Sequence, residues 1–348
     1  MINPKKINNK SNNNYQGYVS ELRQNPISKD WITIALIRAK RPEQLIIQRP
    51  KRKVVSKKNC PFEDPQLSGH KTPELIKLLS NKKGWFLQIF ENKYPAFQPK
   101  NVSTTEQIIG PYKTINGYGY HELLVLKDHY KPLSDYSLKE LGIILRALQE
   151  RYCEIAQDKK IRYISIFHNW GPTAGASIYH PHLQIIAIPV IPPRVQYSLT
   201  GSHRYWIKNH KCVHCQINKF ELSYQKRILL KSGNVIAFSP FVSTEPFAVT
   251  IIPLKHLSYF EETPTKIIME IADVLRKTLK ILKTKLKDPD YNLFIHTAPT
   301  VEKRKYKHYH WHLEIIPKIS ISAGFELSTG IEITTIDPDE GVQYLKNK

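Results

Sequence analysis

The chain of 348 residues has only four cysteines, Cys60, Cys153, Cys212 and Cys215. That is too few to staple a chain of this size, which excludes a disulfide scaffold. It also lacks any apolar run of about 18 residues, which excludes a membrane-spanning helix. The opening MINPKKINNKSNNN has no apolar core, so it does not read as a secretory leader. Residues 1–17 read instead as a disordered polar tail, with the fold beginning at residue 18. The expected compartment is therefore the reducing cytoplasm, where a close cysteine pair points to a metal. Acidic residues are scarce as well: 30 Asp and Glu stand against 52 Lys and Arg, a formal charge of +22. The basic residues are spread along the whole chain among many Asn and Ile. That pattern speaks against nucleic acid as the main partner and suits an anionic small substrate. Hydrophobic residues make up 41%, a globular composition with enough length for one large domain or two ordinary ones.

Strand-like runs rich in β-branched and aromatic residues are Trp31–Ile37, Trp85–Phe90, Glu122–Leu126, Tyr163–Phe167, Leu183–Val190, Val235–Phe238, Ala248–Pro253, Leu293–His296 and His312–Pro317. Two segments carry apolar residues at helical spacing. Ser137–Gln157 opens with Ser137 and Glu140, the pattern of a capping box. Pro264–Lys285 opens with Thr263-Pro264, a cap and first-turn pair. Cys153 falls inside the first of these helices and reads as a core residue.

The features recur in order. The first half runs Cys60, strand, His129, long helix, a strand ending at His168, then His180-Pro181-His182-Leu183-Gln184. The second runs Cys212 and Cys215, strand, His256, long helix, a strand ending at His296, then His310-Trp311-His312-Leu313-Glu314. His129 and His180 are 51 residues apart, and His256 and His310 are 54 apart. The expected fold is α+β: two tandem copies of a unit made from an antiparallel sheet and a long helix. Their boundary is expected near residue 200, after Ile188–Pro193, giving domains 18–200 and 201–348.

Cys212-Val213-His214-Cys215 sets two thiolates at a spacing that tetrahedral zinc favours, and the repeat nominates His256 and His310 as the other ligands. The matching set in the first half is Cys60, Glu63, His129 and His180, with Glu63 at the place of a second cysteine. A carboxylate can serve there. His182 begins a strand just after Gly175-Ala176-Ser177. Histidine can attack phosphorus and hold a nucleotidyl group as a phosphoramidate. Such transfer needs donors for the phosphoryl oxygens. Gln184 lies two residues on, on the same strand face, and its amide can donate; so can Ser177 and the amides around Gly175. In the second copy Glu314 replaces Gln184, and a carboxylate would repel phosphate. His312 is therefore expected to be a degenerate copy.

Several motifs together resemble the galactose-1-phosphate uridylyltransferase family, a tandem branch of the histidine-triad superfamily. They are Glu21-Leu22-Arg23-Gln24-Asn25-Pro26, Asp30-Trp31, Arg38-Ala39-Lys40-Arg41-Pro42, Cys60-Pro61-Phe62 and Phe90-Glu91-Asn92-Lys93-Tyr94-Pro95. The stretch Phe167-His168-Asn169-Trp170-Gly171 through His180-Pro181-His182-Leu183-Gln184 is the most specific, and Gly324-Phe325-Glu326-Leu327 matches near the C-terminus. The resemblance implies ping-pong uridylyl transfer from UDP-glucose to a hexose 1-phosphate, such as galactose 1-phosphate, through a uridylyl-His182. It assigns Gln184 and Ser177 to the α-phosphate with Asn169 nearby. Arg38, Arg41 and Asn92 go to the nucleotide, and Phe325 and Glu326 to the hexose. It further implies supporting zinc and a homodimer in which the C-terminal half completes the partner's site. An ADP-sugar or diadenosine polyphosphate phosphorylase on the same scaffold is the alternative within this chemistry. A basic, zinc-stabilised nucleic-acid-binding protein is the alternative outside it.

Overall fold

The computed structural model describes residues 19–36, 52–67, 75–81, 84–99 and 104–347. Strands β1 (Glu21–Gln24) and β2 (Trp31–Ile34) form an antiparallel pair. The first half then supplies β3 (Leu75–Asn81), β4 (Gly84–Glu91), an exposed hairpin of β5 (Gln107–Ile109) and β6 (Tyr112–Thr114), and β7 (Tyr120–Leu126). Helix α1 (Leu138–Ile155), β8 (Tyr163–Trp170) and β9 (His182–Ile188) complete it. Helices α2 (Pro193–Asn209) and α3 (Val213–Tyr224) lead into β10 (Ile228–Ser232), β11 (Val235–Phe238) and β12 (Val249–Pro253). Helix α4 (Thr265–Lys285), β13 (Tyr291–His296) and β14 (His312–Pro317) follow, then α5 (Gly324–Thr329), β15 (Glu332–Thr334) and α6 (Pro338–Lys346).

Ten strands form one sheet in the order β3-β4-β7-β9-β8-β13-β14-β12-β11-β10, every pairing antiparallel. Read inward from either edge, the two halves follow the same order. At the seam Phe167 lies opposite Phe294. Phe167 is also opposite Gln184, and Phe294 is opposite Glu314. The register therefore relates Gln184 to Glu314, His182 to His312 and Asn169 to His296, as a twofold-like repeat through the seam.

Strand alternation decides which face is free for chemistry. Leu124, Ile164, Ile166, Leu183 and Ile185 of the first half join Val249, Ile251, Leu293 and Leu313 of the second in one apolar cluster beneath the helices. Helix α1 gives that cluster Leu141, Ile144, Leu145, Leu148 and Tyr152, and α4 gives Ile267, Ile268, Ile271, Leu275, Leu279 and Leu282. Each such side chain stabilises the fold by roughly 1.5–3 kcal/mol through lost apolar surface. The residues between them, including Phe167, Asn169, Gln184, Phe294 and Glu314, point to the opposite face. The chain ends are clasped by β15, which runs parallel to β2, and by buried Arg23, which pairs with Asp337 at 2.6 Å.

The capping box of α1 forms as expected: the Ser137 hydroxyl accepts from Glu140 N–H, and the Glu140 carboxylate accepts from Ser137 N–H. Three local expectations need correction. Cys153 is exposed, because it lies on the outer side of α1 rather than on its apolar stripe. Leu138, in the first turn of the same helix, is 38% exposed. Pro264 is the N-cap of α4 rather than its first helical residue, and the Thr263 hydroxyl donates to the Tyr259 carbonyl instead of capping the helix. Strands β3 and β10 and helices α2 and α3 are among the elements not expected from the sequence. Residue 200 falls within α2. Among the described residues no helix is long and apolar enough to cross a membrane.

Candidate functional site

His182 begins β9 on the face away from the helices. Its Nδ1–H donates to the His180 carbonyl at 2.9 Å, which leaves Nε2 with a lone pair. Burial lowers the pKa of the ring, while the bond to His180 opposes that shift. The net effect favours the neutral, nucleophilic form. The Phe62 ring packs against it edge-on, with centroids 5.1 Å apart. Behind the strand, fully buried His168 donates Nδ1–H to the His182 carbonyl at 2.6 Å. Burial holds His168 down to about 3, so it stays neutral and acts as a fixed donor that ties β8 to β9 at the nucleophile.

The turn before His182 is anchored from the second half. Gly171 has φ +87°, and a Cβ there would lie 1.9 Å from Asp290 Oδ1, so only glycine fits. Asp290 Oδ2 accepts from both the Thr173 amide at 2.8 Å and its hydroxyl at 2.7 Å. Arg52 pairs with the same carboxylate at 2.8 Å and lies over the Trp170 ring. Asn292, directly opposite Asn169 in the seam, donates Nδ2 to Asn169 Oδ1 at 2.9 Å and to the Ala174 carbonyl at 2.8 Å. The Asn169 amide nitrogen is thereby turned toward Gly175. Gly175 and Ser177 are exposed in this turn, and among the described residues no side-chain hydrogen bond engages Ser177.

His180, one link from the nucleophile, belongs to a convergent ligand set. Its Nε2–H donates to the Leu126 carbonyl, and that of His129 donates to the Val55 carbonyl at 2.9 Å. Both Nδ1 atoms are therefore lone-pair donors, yet they lie only 3.2 Å apart. Glu63 Oε1 lies 3.2 Å from one and 3.5 Å from the other and has no hydrogen-bond partner, while Cys60 Sγ lies 3.6 Å from His180 Nδ1. The ligand atoms of Cys60, His129 and His180 lie within 4.8 Å of one another, a set that suits a divalent cation, and the carbonyl-bound imidazoles are the usual outer support of metal ligands. Glu63 approaches the two histidines of this set.

Cys212 is the N-cap of α3, and Cys215 is in its first turn, where the helix dipole favours thiolates. Cys215 Sγ lies 3.5 Å from both His256 Nδ1 and His310 Nδ1, and the four ligand atoms lie within 4.8 Å of one another. His256 Nε2–H donates to the Lys307 carbonyl at 2.8 Å. This set fits zinc as well.

The related position in the second half is chemically different. His312 Nδ1–H donates to the His310 carbonyl at 3.1 Å, as in the first half. Glu314, however, lies 3.7 Å from His312 Nε2 and 3.3 Å from His296 Nε2. Burial alone would raise the Glu314 carboxyl, but the two imidazoles hold it well below the usual carboxylate range. A carboxylate, not an amide, therefore stands beside His312. His296, His312 and Glu314 could alternatively hold a cation. They line a cavity of about 620 Å³ together with His214, Phe294 and Arg227.

Other expected residues are placed less centrally. Arg38 and Arg41 lie outside the described residues, as does the polar tail. Asn92 Oδ1 accepts from Tyr94 N–H at 3.0 Å, and its Nδ2 lies 3.0 Å from His121 Nε2. Phe325 is half exposed on α5, and Glu326 accepts from Ala323 N–H at 3.0 Å. Among the described contacts none joins either residue to the His182 group. Sequence reasoning missed His121, whose Nε2 lies 3.1 Å from Gln184 Oε1, and Asn292. The only available signal was a polar side chain at an open-face position of a strand.

A family model described as galactose-1-phosphate uridyl transferase, N-terminal domain, matches residues 5–217. The chain is 33% identical over 333 residues to the ADP-glucose phosphorylase of Arabidopsis thaliana, covering 94% of this chain and 92% of that protein. It is 28% identical over 337 residues to the galactose-1-phosphate uridylyltransferase of Thermotoga maritima, covering 94% and 98%. Among solved structures, an Arabidopsis thaliana ADP-glucose phosphorylase with bound ADP-glucose superposes with a TM-score of 0.79 at 30% identity, covering 95% and 99%. A uridylyltransferase superposes with a TM-score of 0.73 at 27% identity, covering 94% and 97%.

Proposed function

The chain belongs to the galactose-1-phosphate uridylyltransferase family of nucleotidyltransferases, and from that premise we propose that His182 takes a nucleotidyl group from a nucleoside diphosphate hexose and passes it to a second phosphate. The observation that supports this most directly is the His180–His182–Gln184 arrangement. The Nδ1–H of His182 is committed to a carbonyl, its Nε2 has no hydrogen-bond partner among the described residues, and a neutral amide stands on the same strand face.

In the first step the Nε2 lone pair forms an N–P bond to the α-phosphorus. The bond from that phosphorus to the bridging oxygen breaks, and hexose 1-phosphate leaves with the electron pair. The ring, now bonded at both nitrogens, carries positive charge, which the His180 carbonyl stabilises through Nδ1–H. In the second step an acceptor phosphate oxygen forms the new P–O bond, and the N–P pair returns to Nε2. Gln184, Ser177 and Asn169 hold the α-phosphate oxygens, and Arg38, Arg41 and Asn92 contact the nucleotide. Zinc held by Cys60, Glu63, His129 and His180 would fix the residue whose carbonyl aims the nucleophile. Zinc held by Cys212, Cys215, His256 and His310 would support the second half. Phe325 and Glu326, remote from this chain's own His182 group, act on the hexose in the partner's site of a homodimer.

Two donors fit this chemistry. UDP-glucose with a hexose 1-phosphate acceptor is supported by the family motifs and by the Thermotoga maritima relative. ADP-glucose with inorganic phosphate is favoured by the higher identity to the Arabidopsis thaliana phosphorylase. Incubation with each donor, followed by intact mass measurement, tests the reading, with His182→Ala as control. A UMP-sized gain lost in the control supports uridylyl transfer, and an AMP-sized gain supports adenylyl transfer. No gain from either donor, with metal loaded, would overturn the covalent mechanism.

A further inference from the structure

Resting on that reading, we propose that His121 is a positioning residue for nucleotidyl transfer: it fixes which end of the Gln184 amide faces the phosphoryl group at His182. An amide has a donor end and an acceptor end, and only the donor end can stabilise phosphoryl oxygens. Nothing in a glutamine's own packing chooses between them, so a neighbour must.

The geometry supplies that neighbour. His121 lies on β7 two residues before Leu123, and Leu123 is the register partner of Gln184. The two polar side chains are therefore diagonal neighbours on the open face. The Ala96 N–H donates to His121 Nδ1 at 3.1 Å. A backbone amide can only donate, so Nδ1 carries no proton, and in the neutral ring the proton sits on Nε2. Among the described contacts, two side-chain atoms lie near that nitrogen: Gln184 Oε1 at 3.1 Å and Asn92 Nδ2 at 3.0 Å. The oxygen of Asn92 is held by Tyr94 N–H, so Asn92 presents its nitrogen and cannot accept. Gln184 Oε1 is the one acceptor, and it takes the Nε2–H. The Gln184 NH2 group is then directed away from His121. One chain of bonds, from the Ala96 amide through imidazole to the Gln184 oxygen, sets the donor end of the catalytic amide.

The second half carries no counterpart. Thr250 pairs with Glu314 as Leu123 pairs with Gln184, so the position related to His121 is Ala248. A carboxylate has two equivalent acceptor ends and needs no orienting donor. At this ladder position the imidazole stands only in the half that carries an amide; in the other half His296 approaches Glu314 from β13 instead.

The test compares His121→Phe, which keeps a ring and removes the donor, with His121→Gln, whose side-chain NH2 can replace Nε2–H. Single-turnover labelling of His182 is followed by intact mass with UDP-glucose and with ADP-glucose, and donor KM is measured in parallel. Misplacing one preorganised donor is expected to slow labelling by about 10- to 100-fold. KM should stay within about threefold, and His121→Gln should recover most of the rate. In a Gln184→Ala background His121→Phe should change the rate by less than about twofold, because the group it orients is gone. If wild type labels but the two substitutions multiply, or His121→Gln fails to restore the rate, His121 has only a packing role and the proposal falls. If wild type is labelled by neither donor, the transfer reading falls and takes this proposal with it.

Discussion

Changing Gln184 to Glu would write the second half's residue into the first. The strand should accept it, because Glu314 already occupies the related ladder position opposite Phe294. The chemistry should not. Two residues along a strand span about 6.7 Å, and both side chains rise from the same face, so the new carboxylate would sit roughly 5 Å from the phosphoryl oxygens at His182. Two like charges at that separation repel by about 3 kcal/mol at an effective dielectric near 20. At about 1.4 kcal/mol per decade that is on the order of 10²-fold in rate, before the lost amide donor is counted. The assay is the single-turnover rate of His182 labelling for the variant and for wild type, with the melting temperature as a check on folding. A rate within threefold of wild type, in a variant that melts normally, would refute the argument that a neutral amide distinguishes the active half from the inactive one.

Five further variants have outcomes set by the same geometry. With one zinc in each proposed ligand set, Glu63→Ala should lower bound zinc from two ions per chain to one and weaken the remaining three-ligand site by about 100-fold or more, read by elemental analysis and chelator competition. Glu63→Cys should keep both ions; equal zinc content in all three proteins would remove Glu63 from the ligand set. Asn292→Leu frees the Asn169 oxygen and the Ala174 carbonyl, so labelling should slow by roughly tenfold while zinc content stays unchanged. Gly201→Ala would place a Cβ 1.8 Å from the Ile27 carbonyl, a backbone atom that cannot swing aside, and should cost about 1–3 kcal/mol in denaturant titration. Gly142→Ala meets only the flexible Met269 side chain, and its gain in helix propensity of up to about 1 kcal/mol offsets the crowding, so its stability should stay close to wild type.

Much of the site was legible because its chemistry is local. His180, His182 and Gln184 lie within five residues, the last two on β9, and a period of two is enough to place nucleophile and donor on a common face. Cys212 and Cys215 are likewise one helical turn apart. The internal repeat extended this reach, since it named His256 and His310 from a distance. His121 and Asn292 escaped notice because each is a polar residue in a mostly apolar strand, and its meaning depends on what lies across the ladder. Cys153 was misplaced because helical spacing fixes a stripe but does not say how wide the buried stripe will be. Thr263 has the residue type of a cap, yet its hydroxyl found a nearer carbonyl at Tyr259.

By itself, the sequence determined the α+β character, the two related halves, the long helices α1 and α4 and the residue types that face a phosphate or a metal. These follow from short-range periodicity and from the chemistry of individual side chains. Tertiary structure decided that the halves meet edge to edge, with Phe167 opposite Phe294, in one continuous sheet. It also decided that Cys60, His129 and His180, spread over more than a hundred residues of chain, converge on one point with Glu63 beside the two histidines. Finally, it decided that one histidine stands beside an amide, while its related copy faces a carboxylate. Those outcomes depend on register and on distances between groups remote in the chain, which packing sets and no local pattern encodes.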